Sequence, residues 1–259
     1  MAAGTLSGME TTDFIDTLAH DGQLLADAAE KAGANAPVPT CPEWRVRDLL
    51  VHTGRVHRWA TNYVANAVQE RVTPPEGPQP PDEALAEWVR DGCRTLVSTL
   101  RAAPADLSCW TFLPAPSPLH FWARRQAHET AIHRADAESA LGAGITPSAP
   151  AFAVDGIDEL LMGMVARRPE ALRTDTPHTL RIRATGEATG AWTIRLSDAQ
   201  PQVERTADAQ ESTAATPDCE IEGPAPDLYL TLWNRRPLDD LTITGDTTVA
   251  QLWRERFTI

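Results

Sequence analysis

Residues 122–138 read WARRQAHETAIHRADAE, an unbroken run with neither glycine nor proline. The run predicts one helix over about residues 119–141, ended by Gly142 and Gly144. Glu129 and His133 stand four residues apart in it, so a carboxylate and an imidazole share one face, one turn above the other. Trp122 and Ile132 fall on that same face, so the carboxylate points toward apolar company.

Working outward, three more long helices are expected before it. Residues 12–32 form the first, capped by Thr11, Thr12 or Asp13, with Phe14, Leu18 and Leu25 on its apolar face. Pro42 suits the entry of a second helix over residues 44–67. Its inward stripe runs Val46, Leu49, His52, Thr53, Val56, Trp59, Ala60 and Tyr63, which leaves His57 on another, solvated face. TPPEGPQPP at 73–81 is a loop, and a third helix over residues 82–102 buries Leu85, Val89, Cys93, Leu96 and Leu100. Four long helices joined this way suggest a four-helix bundle, whose interior can host a site built from facing helices.

After Pro147 the pattern changes. A helix over residues 151–167 leads into strand alternation at TLRIRA (179–184) and WTIRL (192–196), joined as a hairpin through 186–190. Shorter strands at 202–205, 219–222 and 241–244 and helices at 226–233 and 248–257 complete a smaller α+β domain. The expected organisation is residues 1–147 and 148–259.

The balance of 23 basic against 36 acidic residues gives a net charge of −13. Such a surface repels phosphates, which argues against nucleic acid or an anionic membrane as partner and leaves small anionic substrates open. Lys31 is the only lysine, and with abundant alanine and proline this looks like the codon bias of a GC-rich genome. No arginine is singled out by identity alone. Cys41, Cys93, Cys109 and Cys219 are too scattered for a disulfide framework or a C-x-x-C site. No basic segment followed by an apolar run opens the chain, and no apolar stretch approaches the roughly 20 residues that span a bilayer. A cytoplasmic protein is expected.

G-x-S-x-G, Walker, H-E-x-x-H and G-x-G-x-x-G patterns are absent. What remains is His52 with Glu129 and His133. A Glu/His pair on a helix also fits a solvated face, and one histidine in an apolar stripe also fits a hydrogen-bonded core residue. A metal centre explains more: a buried imidazole needs a partner, and a buried carboxylate needs a cation or donors to stay charged. Two nitrogens and one oxygen suit Zn²⁺ with an open position, while Ni, Mn, Co or Fe are also compatible. Asp136, three residues after His133, is placed to orient it.

CPEWRVRDLLVHTGRVHRW (41–59) and ARRQAHETAIHRADAESALG (123–142) resemble the two signature segments of the mycothiol-dependent maleylpyruvate isomerase family, a branch of the DinB-like metalloenzymes. DLYLTLWNRRPLDDLTITGD (227–246) is similar to that family's smaller second domain. The resemblance implies a DinB-like four-helix bundle holding zinc or another divalent metal through His52, Glu129 and His133, and a sterol-carrier-protein-like α+β domain. It also implies that an arginine of the second domain reaches the cleft; Arg235 matches best and Arg236 next, though a surface turn in an arginine-rich chain explains both equally well.

The implied cosubstrate is mycothiol, the low-molecular-weight thiol of actinobacteria, whose pKa a metal would lower. Its thiolate would add to a conjugated cis double bond, allow rotation, and leave to give the trans product. Arg235, Arg236 or Arg125 would bind substrate carboxylates. The same thiolate could instead displace a leaving group or exchange thiols, as a mycothiol S-transferase would. A non-catalytic protein binding a metal or an apolar ligand is the alternative of another class. Substrate and oligomeric state are not readable from the sequence.

Overall fold

A computed structural model describes residues 8–74, 76–142, 144–206 and 216–257. The chain divides into two compact units, Met1–Thr146 and Pro147–Ile259. The first is helical: α1 (Thr11–Ala32), α2 (Val46–Asn66), α3 (Leu85–Ala102) and α4 (Pro118–Leu141), with a 3₁₀ turn at Asp82–Ala84 leading into α3.

Local chemistry sets the helix ends. The Glu10 backbone N–H donates to the Asp13 carboxylate at 2.9 Å, so the cap of α1 is Glu10 and not one of the residues expected for it. Arg45 and Asp48 repeat the arrangement at α2, also at 2.9 Å, which starts the helix past Pro42. At α4, Ser117 Oγ accepts from the His120 N–H at 3.1 Å and Pro118 occupies the first turn. Gly142 ends α4 at φ 73°, a left-handed conformation that glycine adopts without a Cβ penalty.

Helix α1 packs against α3 and α4, and α2 against the same two. Leu25, Val46, Leu49, Leu85, Val89 and Ala137 meet in one buried cluster. Burying each leucine or valine there stabilises the fold by about 1.5–3 kcal/mol. A second cluster is aromatic, with Tyr63 stacked on Trp122 at 4.7 Å and on Trp110 at 5.3 Å.

Helix α4 is the exception to amphipathic packing. Arg125, His128, Arg134, Asp136 and Glu138 are all buried along with its alanines. Their charges are met inside the unit: Arg134 donates to Glu138 at 3.1 Å and lies 3.3 Å from Asp21.

The second unit is α+β. Its sheet has the order β3-β2-β1-β4-β5, built from β1 (His178–Thr185), β2 (Gly190–Leu196), β3 (Gln202–Thr206), β4 (Cys219–Pro224) and β5 (Thr242–Gly245). β1 pairs with β2 as an antiparallel hairpin and with β4 in parallel. Leu180, Ile182, Trp192, Ile194 and Ile221 point to the buried face. Helices α6 (Ala225–Leu232) and α7 (Thr247–Arg256) pack on β1 and β4, and α5 (Pro150–Asp158) packs on α6. The single helix expected over 151–167 instead loosens after Asp158 into a π turn, Glu159–Met164, and a 3₁₀ turn, Val165–Arg167. Gly163 lies in that stretch, and glycine weakens a helix by about 1 kcal/mol. All four cysteines are free thiols. Among the described residues no helix is long and apolar enough to cross a membrane.

Candidate metal centre

Two helices carry the candidate ligands: α2 presents His52, and α4 presents Glu129 and His133. One ligand atom from each lies within 4.8 Å of the others. Glu129 Oε1 sits 3.1 Å from His52 Nε2 and 3.3 Å from His133 Nε2. Metal–ligand bonds of about 2.0–2.1 Å place tetrahedral donor atoms about 3.3 Å apart, close to the two separations that Glu129 makes with the histidines, so this donor set suits a divalent ion.

The remaining polar atoms of Glu129 and His133 are spoken for. Arg125 Nη2 donates to Glu129 Oε2 at 3.0 Å, leaving Oε1 toward the histidines. His133 Nδ1 meets Asp136 Oδ2 at 2.9 Å, and Asp136 Oδ1 accepts from Thr40 Oγ1 at 2.6 Å. A carboxylate at Nδ1 fixes the proton there and turns the Nε2 lone pair toward the centre. Asp136 is fully buried, and the segment before α2 that brings Thr40 to it also lays Trp44 over both imidazoles, 5.1 Å from the His52 ring and 5.8 Å from that of His133.

Burial by itself would raise the Glu129 pKa, but hydrogen bonds from His133 and His52 and the Arg125 charge hold it well below the usual carboxylate range. Burial likewise works against a charged His133, yet Asp136 and Glu129 push it up to about 9. Without metal, then, the centre holds a proton where a cation would sit.

His52 is less enclosed than its stripe suggests: its side chain is 37% exposed, against 10% for His133. It opens into a cleft of about 600 Å³ walled by Trp44, Val51 and Val56 and by Thr73, Pro74, Glu76 and Gln79. His57, expected to be solvated, is instead fully buried and hydrogen-bonded to Thr130 Oγ1 at 2.9 Å. Helix α2 packs on both α3 and α4, so its inward arc is wider than one stripe. Burial pushes the His57 pKa down to about 3, which keeps that ring neutral beneath the centre.

The arginines divide. Arg125 is buried and turned to Glu129, a bond that the i, i+4 spacing already allowed. Arg235 and Arg236 belong to the second unit, in the turn after α6. Arg235 is buried there and donates to the Trp233 carbonyl at 2.7 Å, and Arg236 pairs with Asp227. Thr40 and Trp44 were not singled out by the sequence, because their spacing from the ligands carries no periodic signal.

A family model described as the mycothiol maleylpyruvate isomerase N-terminal domain matches residues 15–138, and one described as the MDMPI C-terminal domain matches residues 151–252. No curated protein and no solved structure matches the chain. The two matches lie in tandem over nearly the whole sequence and take in every residue of the centre: the chain belongs to the mycothiol maleylpyruvate isomerase family.

Proposed function

We propose that this protein is a divalent-metal-dependent enzyme that uses mycothiol to isomerise an unsaturated acid resembling maleylpyruvate from cis to trans. The observation that carries the reading is the convergence of His52, Glu129 and His133, backed by Asp136 and Arg125, in a chain of this family. In this reading α1–α4 are a DinB-like four-helix bundle, residues 148–259 are a sterol-carrier-like domain, and the three side chains hold zinc or a similar ion. The metal, when bound, supplies a Lewis acid with an open position that lowers the pKa of a thiol.

The chain's own residues prepare that position. Asp136 keeps the His133 proton on Nδ1, and Arg125 keeps Glu129 ionised and oriented. Trp44 covers the two imidazoles and restricts water on that side, while His52 faces the cleft through which thiol and substrate enter. Arg235, or Arg236 after it, is assigned to a substrate carboxylate on the family resemblance.

The test begins with metal analysis of protein purified without chelator, with His52→Ala and Glu129→Ala as controls. A wild type that neither retains nor takes up a stoichiometric divalent metal overturns the reading. Incubation with mycothiol and maleylpyruvate should convert the isomer with the thiol recovered, and His133→Ala should abolish the conversion. Thiol consumption with electrophilic conjugates, and no isomer conversion, would assign an S-transferase instead.

A further inference from the structure

The described residues include a second cleft of similar size, about 570 Å³, between α1 and α3. Its three arginines are all matched by carboxylates: Arg90 by Asp27 and Glu30, Arg94 by Glu87, and Arg101 by Asp16. Pairing of this kind is the ordinary state of an arginine in a chain of net charge −13. Along α2 the same holds for Arg47, which lies 3.4 Å from Asp82, and for Arg58, which reaches Asp91 and stacks over Trp88; Arg45, at the cap, donates to the Asn35 carbonyl.

Arg55 breaks the pattern. It is half-buried in the wall of the cleft at His52, and among the described residues it has no hydrogen-bond or ion-pair partner. It follows His52 by three residues, which places the two side chains on one face of α2 with Cβ atoms about 5–6 Å apart. The other charges of this cleft are engaged or peripheral: Asp48 accepts from the Arg45 N–H, Arg47 is offset by Asp82, and Glu76 is exposed on the loop. A planar guanidinium left unmatched beside apolar walls suits a carboxylate from outside the chain.

We propose that Arg55 is the specificity-determining residue of the cleft, holding a carboxylate of the substrate while the rest of that molecule extends to the His52, Glu129 and His133 group. This rests on the metal-centre reading and adds to it a residue inside the first unit that selects anionic substrates.

The experiment uses the full chain, zinc-loaded and metal-free, with maleate as probe and calorimetric titration as readout. Arg55→Gln should weaken maleate binding about tenfold or more in both forms, Arg55→Lys should recover part of the loss, and Arg47→Gln should change affinity less than about twofold. Zinc content and thermal midpoint should match wild type in all three variants. Equal maleate affinity in Arg55→Gln and wild type overturns the proposal, as does an equal loss in Arg47→Gln or a wild type that binds no maleate. Failure of the metal-centre reading shows separately, as a wild type without zinc, whereas zinc present with maleate binding indifferent to Arg55 defeats this inference alone.

Discussion

Asp136 offers the most direct test of how the centre is built. Asp136→Asn keeps the size of a fully buried side chain. Its amide oxygen can still accept from His133 Nδ1–H, and its NH₂ can donate to Thr40, whose hydroxyl rotates to accept. Packing and hydrogen-bond count are retained; the charge is not. Hydrogen bonds to charged groups contribute about 1.5–3 kcal/mol and neutral ones about 0.5–1.5, so the difference of about 1–1.5 kcal/mol predicts roughly tenfold weaker zinc binding.

The same carboxylate also steadies the proton on His133, pushed up to about 9, so at pH 7 the loss is partly hidden by easier deprotonation. The affinity is therefore best measured by competition with a chromophoric chelator near pH 7 and again at about pH 9.5, where the proton no longer competes. The full tenfold effect is expected only at the higher pH. Asp136→Ala, which strands both His133 Nδ1 and Thr40, should cost about 10–100-fold in affinity. An Asp136→Asn protein that binds zinc as tightly as wild type at the higher pH refutes the reasoning.

Zinc uptake at pH 7 should release about one proton, given up by His133, measurable by calorimetry in buffers of different ionisation enthalpy; Asp136→Asn should release less. His57 is neutral when folded, with its pKa down to about 3, but takes a proton at about 6.5 when unfolded. Stability of the metal-free protein should then fall by about 1.4 kcal/mol per pH unit between about pH 6 and 4.5, in urea melts, and His57→Gln should flatten that slope. Gly54→Ala would drive a methyl into the Trp88 ring, over which Arg58 lies at 4.1 Å, and should destabilise the fold by about 1–3 kcal/mol in the same assay.

The end of α4 and the β1–β2 hairpin were legible because their signals are local: Gly142 stops the helix, and the 186–190 turn joins the strands. Glu129 and His133 were legible as a pair for the same reason, since i, i+4 spacing on a helix needs no tertiary knowledge. His57 was misread because one stripe was assumed for α2, a helix that packs on two neighbours. Thr40 and Trp44 come from an irregular segment, where no period announces which way a side chain points. Arg55 escaped notice because in an arginine-rich chain only tertiary contacts show which side chains along α2 are matched. The loosening after Asp158 had a single cue, Gly163, too weak to override an otherwise helical pattern.

The pairing of Glu129 with Arg125 has a consequence beyond geometry. Its carboxylate has a buried counterion before any metal arrives, and a protonated His133 adds a second positive charge beside it. The centre is thus electrically settled when empty, unlike a zinc finger, which needs its metal to fold. In the metal-centre reading, a cell short of zinc would hold a folded but idle protein. On the same reading, restoring the metal would return activity without new synthesis of the chain.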